Sequence, residues 1–348
     1  MSDAILIMGA GHQGLAMATH LALNGVNVNL WNRTYENITT IAETRLIHSS
    51  GVVNGIAKIN NVSSSVEELM ADTIMVTTPA FAHKPIANLL APYVTNNSVI
   101  ILNPGRTFGV EEFQYELAQS GCKFNPIIAE TQTIVYTCRR DKENSVKIYA
   151  LKNGVEIATS HKHHLDDVFS RIPLCLRSYF KPVDSTAITS IGNVGMILHC
   201  APVLMNIGWI ESSIADFKYY YDGISPSIAA FLEKADNERL SVGEAMGYKL
   251  ESTANWLRRI YSVNGSNLYE CIRNNESYND IYAPTSLKHR YLEEDIPYGL
   301  VPIESVAMHY GITTPCITTV IDLACLVMET DYREHGRKYI MEVGAGTV

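Results

Sequence analysis

The chain is short of positive charge. Its 348 residues carry 27 Lys and Arg against 36 Asp and Glu, a formal net charge of −9, and no stretch gathers the cations into a stripe. Nucleic-acid affinity comes mainly from clustered Lys and Arg, so a broad phosphate-neutralising surface is excluded. No apolar run approaches the ~18 residues that span a bilayer, and Met1-Ser2-Asp3 lacks the cationic start and cleavage site of a secretory signal. A cytosolic protein with no nucleic-acid and no membrane partner is expected. Cysteine pairs are also missing: Cys122, Cys138, Cys175, Cys200, Cys271, Cys316 and Cys325 are odd in number, lie far apart and never form CxxC. A disulfide framework or zinc ribbon needs paired, regular spacing, so buried free thiols are expected. Internal repeats, low-complexity tracts and charge runs are absent too.

What is present is ordinary globular composition, 47% hydrophobic and 18% charged over 348 residues. At roughly 100–200 residues per domain, that length suits two domains, each able to bury a core. Two textures follow one another. In the first half, short Val- and Ile-rich runs alternate with helical segments: Ala4 to Met8, Val26 to Asn32, Thr73 to Thr78, Ser98 to Leu102 and Lys123 to Ile128 read as strands, while His12 to Asn24, Phe81 to Leu90 and Val110 to Ser120 read as helices. This α/β alternation implies a Rossmann-type doubly wound parallel sheet. Val146 to Thr159 alternates around Asn153-Gly154 and predicts an antiparallel hairpin at the sheet edge. Beyond Lys181-Pro182 the pattern is helical, with Ile191 to Ile210, Ser227 to Met246, Thr253 to Ser262 and Val301 to His309 as the main segments. The expected division is therefore 1–182, a Rossmann-type α/β domain with an edge hairpin, and 183–348, a mostly α-helical domain.

Gly9-Ala10-Gly11-His12-Gln13-Gly14 fits GxGxxG directly after a strand and at the opening of a helix. In that context the glycines have separate tasks: a tight turn at Gly9, close backbone approach to a pyrophosphate at Gly11, and close helix–strand packing at Gly14, with free N–H groups at the helix start receiving the anion. The end of the second strand distinguishes NAD from NADP, because a carboxylate accepts from the ribose 2′-OH whereas an arginine pairs with a 2′-phosphate. Here it reads Asn32-Arg33-Thr34, with no carboxylate before Glu36. NADP is the expected cofactor, NAD being possible if Arg33 is only a solvated loop cation. Thr78 and Pro79, at the end of a later strand, complete the expected cofactor-binding set.

Hydride transfer to a carbonyl or imine also needs a group that exchanges a proton near neutral pH, usually histidine. His161, His163 and His164 cluster, but no Cys or carboxylate set completes a metal site, and a polar loop is expected there. His199 lies on an apolar helix where, at 100° per residue, Gly192, Gly195, His199 and Asn206 share a face. Pro202 frees the carbonyl of Leu198 from its helical partner. These residues alone suit a core histidine as well as a catalytic one.

The segment around His199 resembles the NxxxxxHxxPxxxNxG signature of the opine dehydrogenase family. Ala129 to Arg139 (AETQTIVYTCR) is similar to that family's AETxTxxYxCR stretch, His289 to Pro302 (HRYLEEDIPYGLVP) to its RYxxEDxPxGLVP stretch, and Asp236 to Gly247 to a helix of its second domain. The matches run in order over essentially the whole chain. The resemblance implies NAD(P)H-dependent reductive condensation of an α-amino acid with an α-keto acid of the pyruvate type, with His199 as catalytic histidine and Asp295 as its carboxylate partner. It also implies Arg290 as an anchor for substrate carboxylate, although a salt bridge to Glu293 or Glu294 fits that arginine equally. Asn206, which orients either a substrate or the histidine helix, and Thr133 are weaker substrate-site candidates, and a homodimer is possible. Two rivals remain: another two-domain NADP-dependent reductase of the ketopantoate or 2-hydroxyacid type, whose chemistry uses a lysine on the first long helix of the helical domain, and a non-catalytic NADP(H)-sensing protein. Ile191 to Ile210 contains no lysine.

Overall fold

The computed structural model describes residues 4–212 and 216–338. Their contacts divide the chain into two compact units, the first ending at Ser190 and the second beginning at Ile191. In the first unit, twelve strands form two sheets. The strands are β1 (Ile5–Met8), β2 (Val28–Trp31), β3 (Leu46–Gly51), β4 (Gly55–Lys58), β5 (Asn61–Ser63), β6 (Thr73–Val76), β7 (Val99–Leu102), β8 (Ile127–Thr131), β9 (Tyr136–Lys142), β10 (Ser145–Leu151), β11 (Val155–Thr159) and β12 (Phe180–Pro182).

The large sheet has the order β12-β11-β8-β7-β6-β1-β2-β5. From β5 to β8 all pairings are parallel, and the order reverses between β1 and β6, the switch point of a Rossmann sheet. The reason is legible in the strands themselves. In β1, Ile5 and Ile7 enter one core with Leu15, Met17, Leu21 and Leu30, whereas Leu6 and Met8 enter the other with Ile74, Val76, Ile86, Ile100 and Phe113. A strand apolar at every position must be covered on both faces, and each such side chain contributes about 1.5–3 kcal/mol on burial. The smaller sheet, β4-β3-β10-β9, supplies Ile47, Val146, Ile148 and Tyr136 to the first of these cores, the one shared with helix His12–Leu23.

Four expectations are corrected here. Val146 to Thr159 is not a hairpin: β10 pairs with β9 and β3 in the smaller sheet, while β11 pairs with β8 and β12 in the large one. Gly154, at φ 65°, turns the chain between sheets, and the hairpin partner of β10 is β9. The strand placed at Lys123 to Ile128 begins only at Ile127, because Pro126 has no N–H to give to a ladder. The seven thiols are free, but only Cys200 and Cys271 are buried. Finally, Thr186–Met205, two helices interrupted at Gly192 to Val194, is by length and composition apolar enough to cross a bilayer, although no such run was expected; 78% of that window is buried, as in the core helices of a folded protein.

The second unit is helical, its main elements being Gly195–Met205, Pro226–Ala245, Thr253–Tyr261, Val301–His309 and Pro315–Met328. The single helix expected over Ile191 to Ile210 is broken: Gly192 to Val194 leave the helix, and Asn193 Oδ1 accepts the N–H of Gly195 at 3.1 Å to start a new one. Gly192 is thus off the helix that carries His199, and Asn206 is its C-cap. The Asp236-to-Gly247 stretch has a structural use. Fully buried Arg239 bonds Asp236 and the carbonyls of Ile191 and Glu251, while Asp236 accepts from both the N–H and hydroxyl of Thr253. Residues 1–3, residues 213–215 and the end of the 183–348 domain beyond 338 lie outside the described residues.

Candidate functional site

Two separate sites can be built from the residues. In the first unit, Gly9 leaves β1 at φ 111°, and a Cβ there would sit 2.8 Å from Thr78 Cγ2. Gly14 is under a harder constraint, since a Cβ would fall 1.8 Å from the carbonyl oxygen of Gly9. Helix His12–Leu23 can therefore start directly above β1. Gly11, its N-cap, has nothing within 4 Å of the same position, so the loop presents bare backbone outward. Asn32 at the end of β2 braces this loop: its Oδ1 accepts from Ala10 N at 3.1 Å and its Nδ2 donates to Thr34 O at 2.8 Å. Arg33 and Thr34 are exposed. Thr77 bonds the carbonyls of Met8 and Gly9, which sets Thr78 beside the glycine turn, and Pro79 follows it.

The polar groups at the strand ends fit a ligand. The amide atoms of Gln13, Thr78 Oγ1 and Asn103 Oδ1 are buried with no hydrogen-bond partner among the described residues. They follow β1, β6 and β7, the carboxyl ends beside the switch point, where dinucleotides bind in such sheets. Leaving a buried polar group unpaired costs about 1–3 kcal/mol, so these atoms call for a bound partner. His12 is turned to another task, its Nδ1 accepting the N–H of Arg140 at 2.7 Å.

In the second unit, His199 Nδ1 lies 2.7 Å from Asp295 Oδ2. The carboxylate is fully buried and the imidazole 15% exposed. Asp295 is placed by the turn Ile296–Leu300, which approaches the histidine helix so closely that a Cβ on Gly299 would sit 2.9 Å from Cβ of Met196. With Nδ1–H donated to the carboxylate, Nε2 is the nitrogen left to exchange a proton. It lies 3.1 Å from the hydroxyl of Tyr220. Tyr291 stacks on the imidazole, ring centroids 3.9 Å apart at 16°. Burial pushes the Tyr220 phenol well above its ordinary value of 10.0, so the group on Nε2 is a neutral hydroxyl.

The loop bearing Tyr220 is tied to the same helix. Tyr219 donates its hydroxyl proton to the carbonyl of His199 at 2.7 Å and lies 3.3 Å from that of Leu198, the carbonyl released by Pro202. Asn206 Nδ2 donates to Pro202 O and Gly223 O, both at 2.8 Å. Asn206 thus braces the histidine helix. Arg290, five residues before Asp295, is 47% exposed on its side chain, and its Nε lies 3.3 Å from buried Glu294. Thr133 is half-buried just after β8, in the first unit. Tyr220 and Tyr291 were missed as site residues; the only sequence signal was the Tyr219-Tyr220-Tyr221 run and the Tyr within HRYLEED, neither of which tells ring packing from contact with a histidine.

Family models match both parts of the chain. Residues 182–328 match the family model of the NAD/NADP octopine/nopaline dehydrogenase α-helical domain, and residues 5–105 match that of ketopantoate reductase PanE/ApbA. The chain is 32% identical to the opine dehydrogenase of Arthrobacter sp. (strain 1C) over 339 residues, covering 97% of this chain and 94% of that protein. Among solved structures, octopine dehydrogenase in complex with NADH and agmatine superposes with a TM-score of 0.77 at 18% identity, covering 94% of this chain and 90% of that one. NADP+-bound yersinopine dehydrogenase gives a TM-score of 0.77 at 13% identity, covering 95% and 92%.

Proposed function

Because the chain belongs to the opine dehydrogenase family, we propose that this dehydrogenase reductively condenses an α-amino acid with an α-keto acid of the pyruvate type, using NADP(H) in preference to NAD(H). The observation that carries the reading is the 2.7 Å pairing of His199 with a fully buried Asp295. A buried carboxylate on Nδ1 fixes the tautomer and orients the ring, so that Nε2 is the nitrogen that acts as general acid or base. Condensation of amine and keto acid passes through a carbinolamine whose hydroxyl leaves as water. His199 gives that proton and recovers it in the reverse direction. Asp295 holds the imidazolium without itself taking the proton. A bound nicotinamide dinucleotide supplies the hydride; Gly9, Ala10, Gly11, Gln13, Gly14, Thr78 and Pro79 would hold it, with Asn32, Arg33 and Thr34 at its adenosine ribose. Arg290 would orient substrate carboxylate through its two-pronged guanidinium, and Thr133 is a weaker contact. A cytosolic setting and a homodimer belong to the same reading, and fractionation and sedimentation check them.

The purified protein should oxidise NADPH with pyruvate and one or more of a panel of amino acids, releasing a secondary amine dicarboxylate identified by mass. Absence of oxidation with every keto acid and amine pair would overturn the reading in favour of a dinucleotide sensor. Turnover of keto acid alone would favour a hydroxyacid or ketopantoate-type reductase.

A further inference from the structure

The loops that surround the adenosine end of the expected dinucleotide contain a guanidinium besides that of Arg33. Arg140, on β9, is fastened to them from several directions. Its backbone N–H donates to His12 Nδ1 at 2.7 Å, and Cys138 two residues earlier donates to His12 O at 3.3 Å. The side chain donates from Nη1 to Ala10 O at 3.0 Å, from Nη2 to Asn37 O at 2.9 Å and from Nε to Lys142 O at 3.1 Å. One planar group therefore bridges the glycine loop and the segment that follows β2.

Of the five N–H donors of a guanidinium, these contacts occupy three and leave one on each terminal nitrogen. All three acceptors are neutral carbonyls, so among the described residues no carboxylate is hydrogen-bonded to the group. The carboxylate that acts on it, Glu143, has its oxygens engaged by the N–H of Thr40 at 2.6 Å and its hydroxyl at 2.8 Å. Partial burial lowers the proton affinity of Arg140, a cost that a nearby anion would offset. The end of β2 carries Asn32 in place of a carboxylate, and that amide already spans Ala10 and Thr34. A ribose with a free 2′-OH finds no acidic acceptor there, whereas a 2′-phosphate finds a fixed cation.

We propose that Arg140 is a specificity-determining residue of the dinucleotide site, its guanidinium held between Ala10 and Asn37 to pair with the 2′-phosphate of the adenosine ribose. The assignment rests on the NADP(H) reading above and adds to it a residue outside the β2 loop.

Calorimetric titration of the full-length protein with adenosine 2′,5′-bisphosphate and with 5′-AMP tests this without turnover. Wild type should bind the bisphosphate at least ~10-fold more tightly, the scale of a charge-assisted hydrogen-bonded pair. Arg140→Met should lose ~10- to 100-fold in bisphosphate affinity while AMP affinity changes little. Arg140→Lys, which keeps the charge but not the fork, should lose severalfold, and it reads the same comparison if the methionine variant does not fold. A preference retained in full by these variants overturns the role of Arg140 and leaves the NADP(H) reading standing. Equal losses for both probes make Arg140 a brace of the glycine loop and also overturn it. Wild type that does not distinguish the probes removes the reading and the proposal together.

Discussion

The carboxylate of Asp295 reaches His199 Nδ1 at 2.7 Å across 96 residues of sequence, because a turn at Ile296–Leu300 presses against the helix that carries the histidine. If this pair is the acid–base centre, His199→Ala should lower kcat by ~10²- to 10⁴-fold while dinucleotide affinity, measured by nucleotide fluorescence, stays near wild type. Asp295→Asn should reduce kcat and leave the helical unit folded. Turnover surviving His199→Ala nearly intact would end the acid–base assignment.

Much of this was legible from the chain alone. The strands β1, β2, β6 and β7 announce themselves because a sheet covered on both faces needs apolar residues at consecutive positions, and GAGHQG follows the first of them. The strands β3, β4 and β5 do not, since LIHSSG, GIAK and NVS are short and half polar. Asn153-Gly154 misled for a different reason: a tight turn fixes the local reversal of the chain but not which sheet receives each arm. The helix break at Gly192 to Val194 depends on a side-chain bond from Asn193 that helical periodicity does not report. His199 stood out through Pro202 and its small neighbours, but Asp295 was reached only through family resemblance, and Tyr220 depends on a tertiary apposition that no spacing rule encodes.

Tyr220 provides the next check. Its hydroxyl sits 3.1 Å from His199 Nε2, and its ring stacks on Tyr278 with centroids 3.9 Å apart, so it cannot swing away without losing that contact. Tyr220→Phe keeps the ring and deletes one neutral hydrogen bond, a net term of about 0.5–1.5 kcal/mol. Steady-state kinetics should show kcat reduced ~3- to 10-fold, with KM for the dinucleotide unchanged. A loss confined to dinucleotide KM would contradict the contact with His199.

Arg290 separates two roles by two readouts. An anchor for substrate carboxylate predicts that Arg290→Met raises the KM for keto acid or amino acid ~10- to 100-fold, as expected for a lost charge-assisted pair, while Tm stays within a degree or two of wild type. A purely structural pair with buried Glu294 predicts the reverse, a lower Tm and unaltered KM, since removing the cation leaves the carboxylate without its neighbour.

Glu130 carries the last prediction, and it concerns the pH dependence of stability. Its carboxyl is fully buried on β8, accepts from the hydroxyls of Thr189 and Ser190 at 2.7 Å each, and accepts the N–H of Val110 at 3.1 Å. Those three donors favour the anion, but burial, and secondarily the charge of Glu111, outweigh them and raise the pKa from 4.5 to about 8. Between these two values the folded protein holds a proton that the unfolded chain has lost, so stability falls as pH rises through the interval. Denaturant midpoints should therefore decline from about pH 5 toward pH 8 and level off above it. Glu130→Gln keeps a neutral group of the same shape and should flatten that decline. A decline of unchanged steepness in the variant would assign it to other groups and show that Glu130 is ionised across the range.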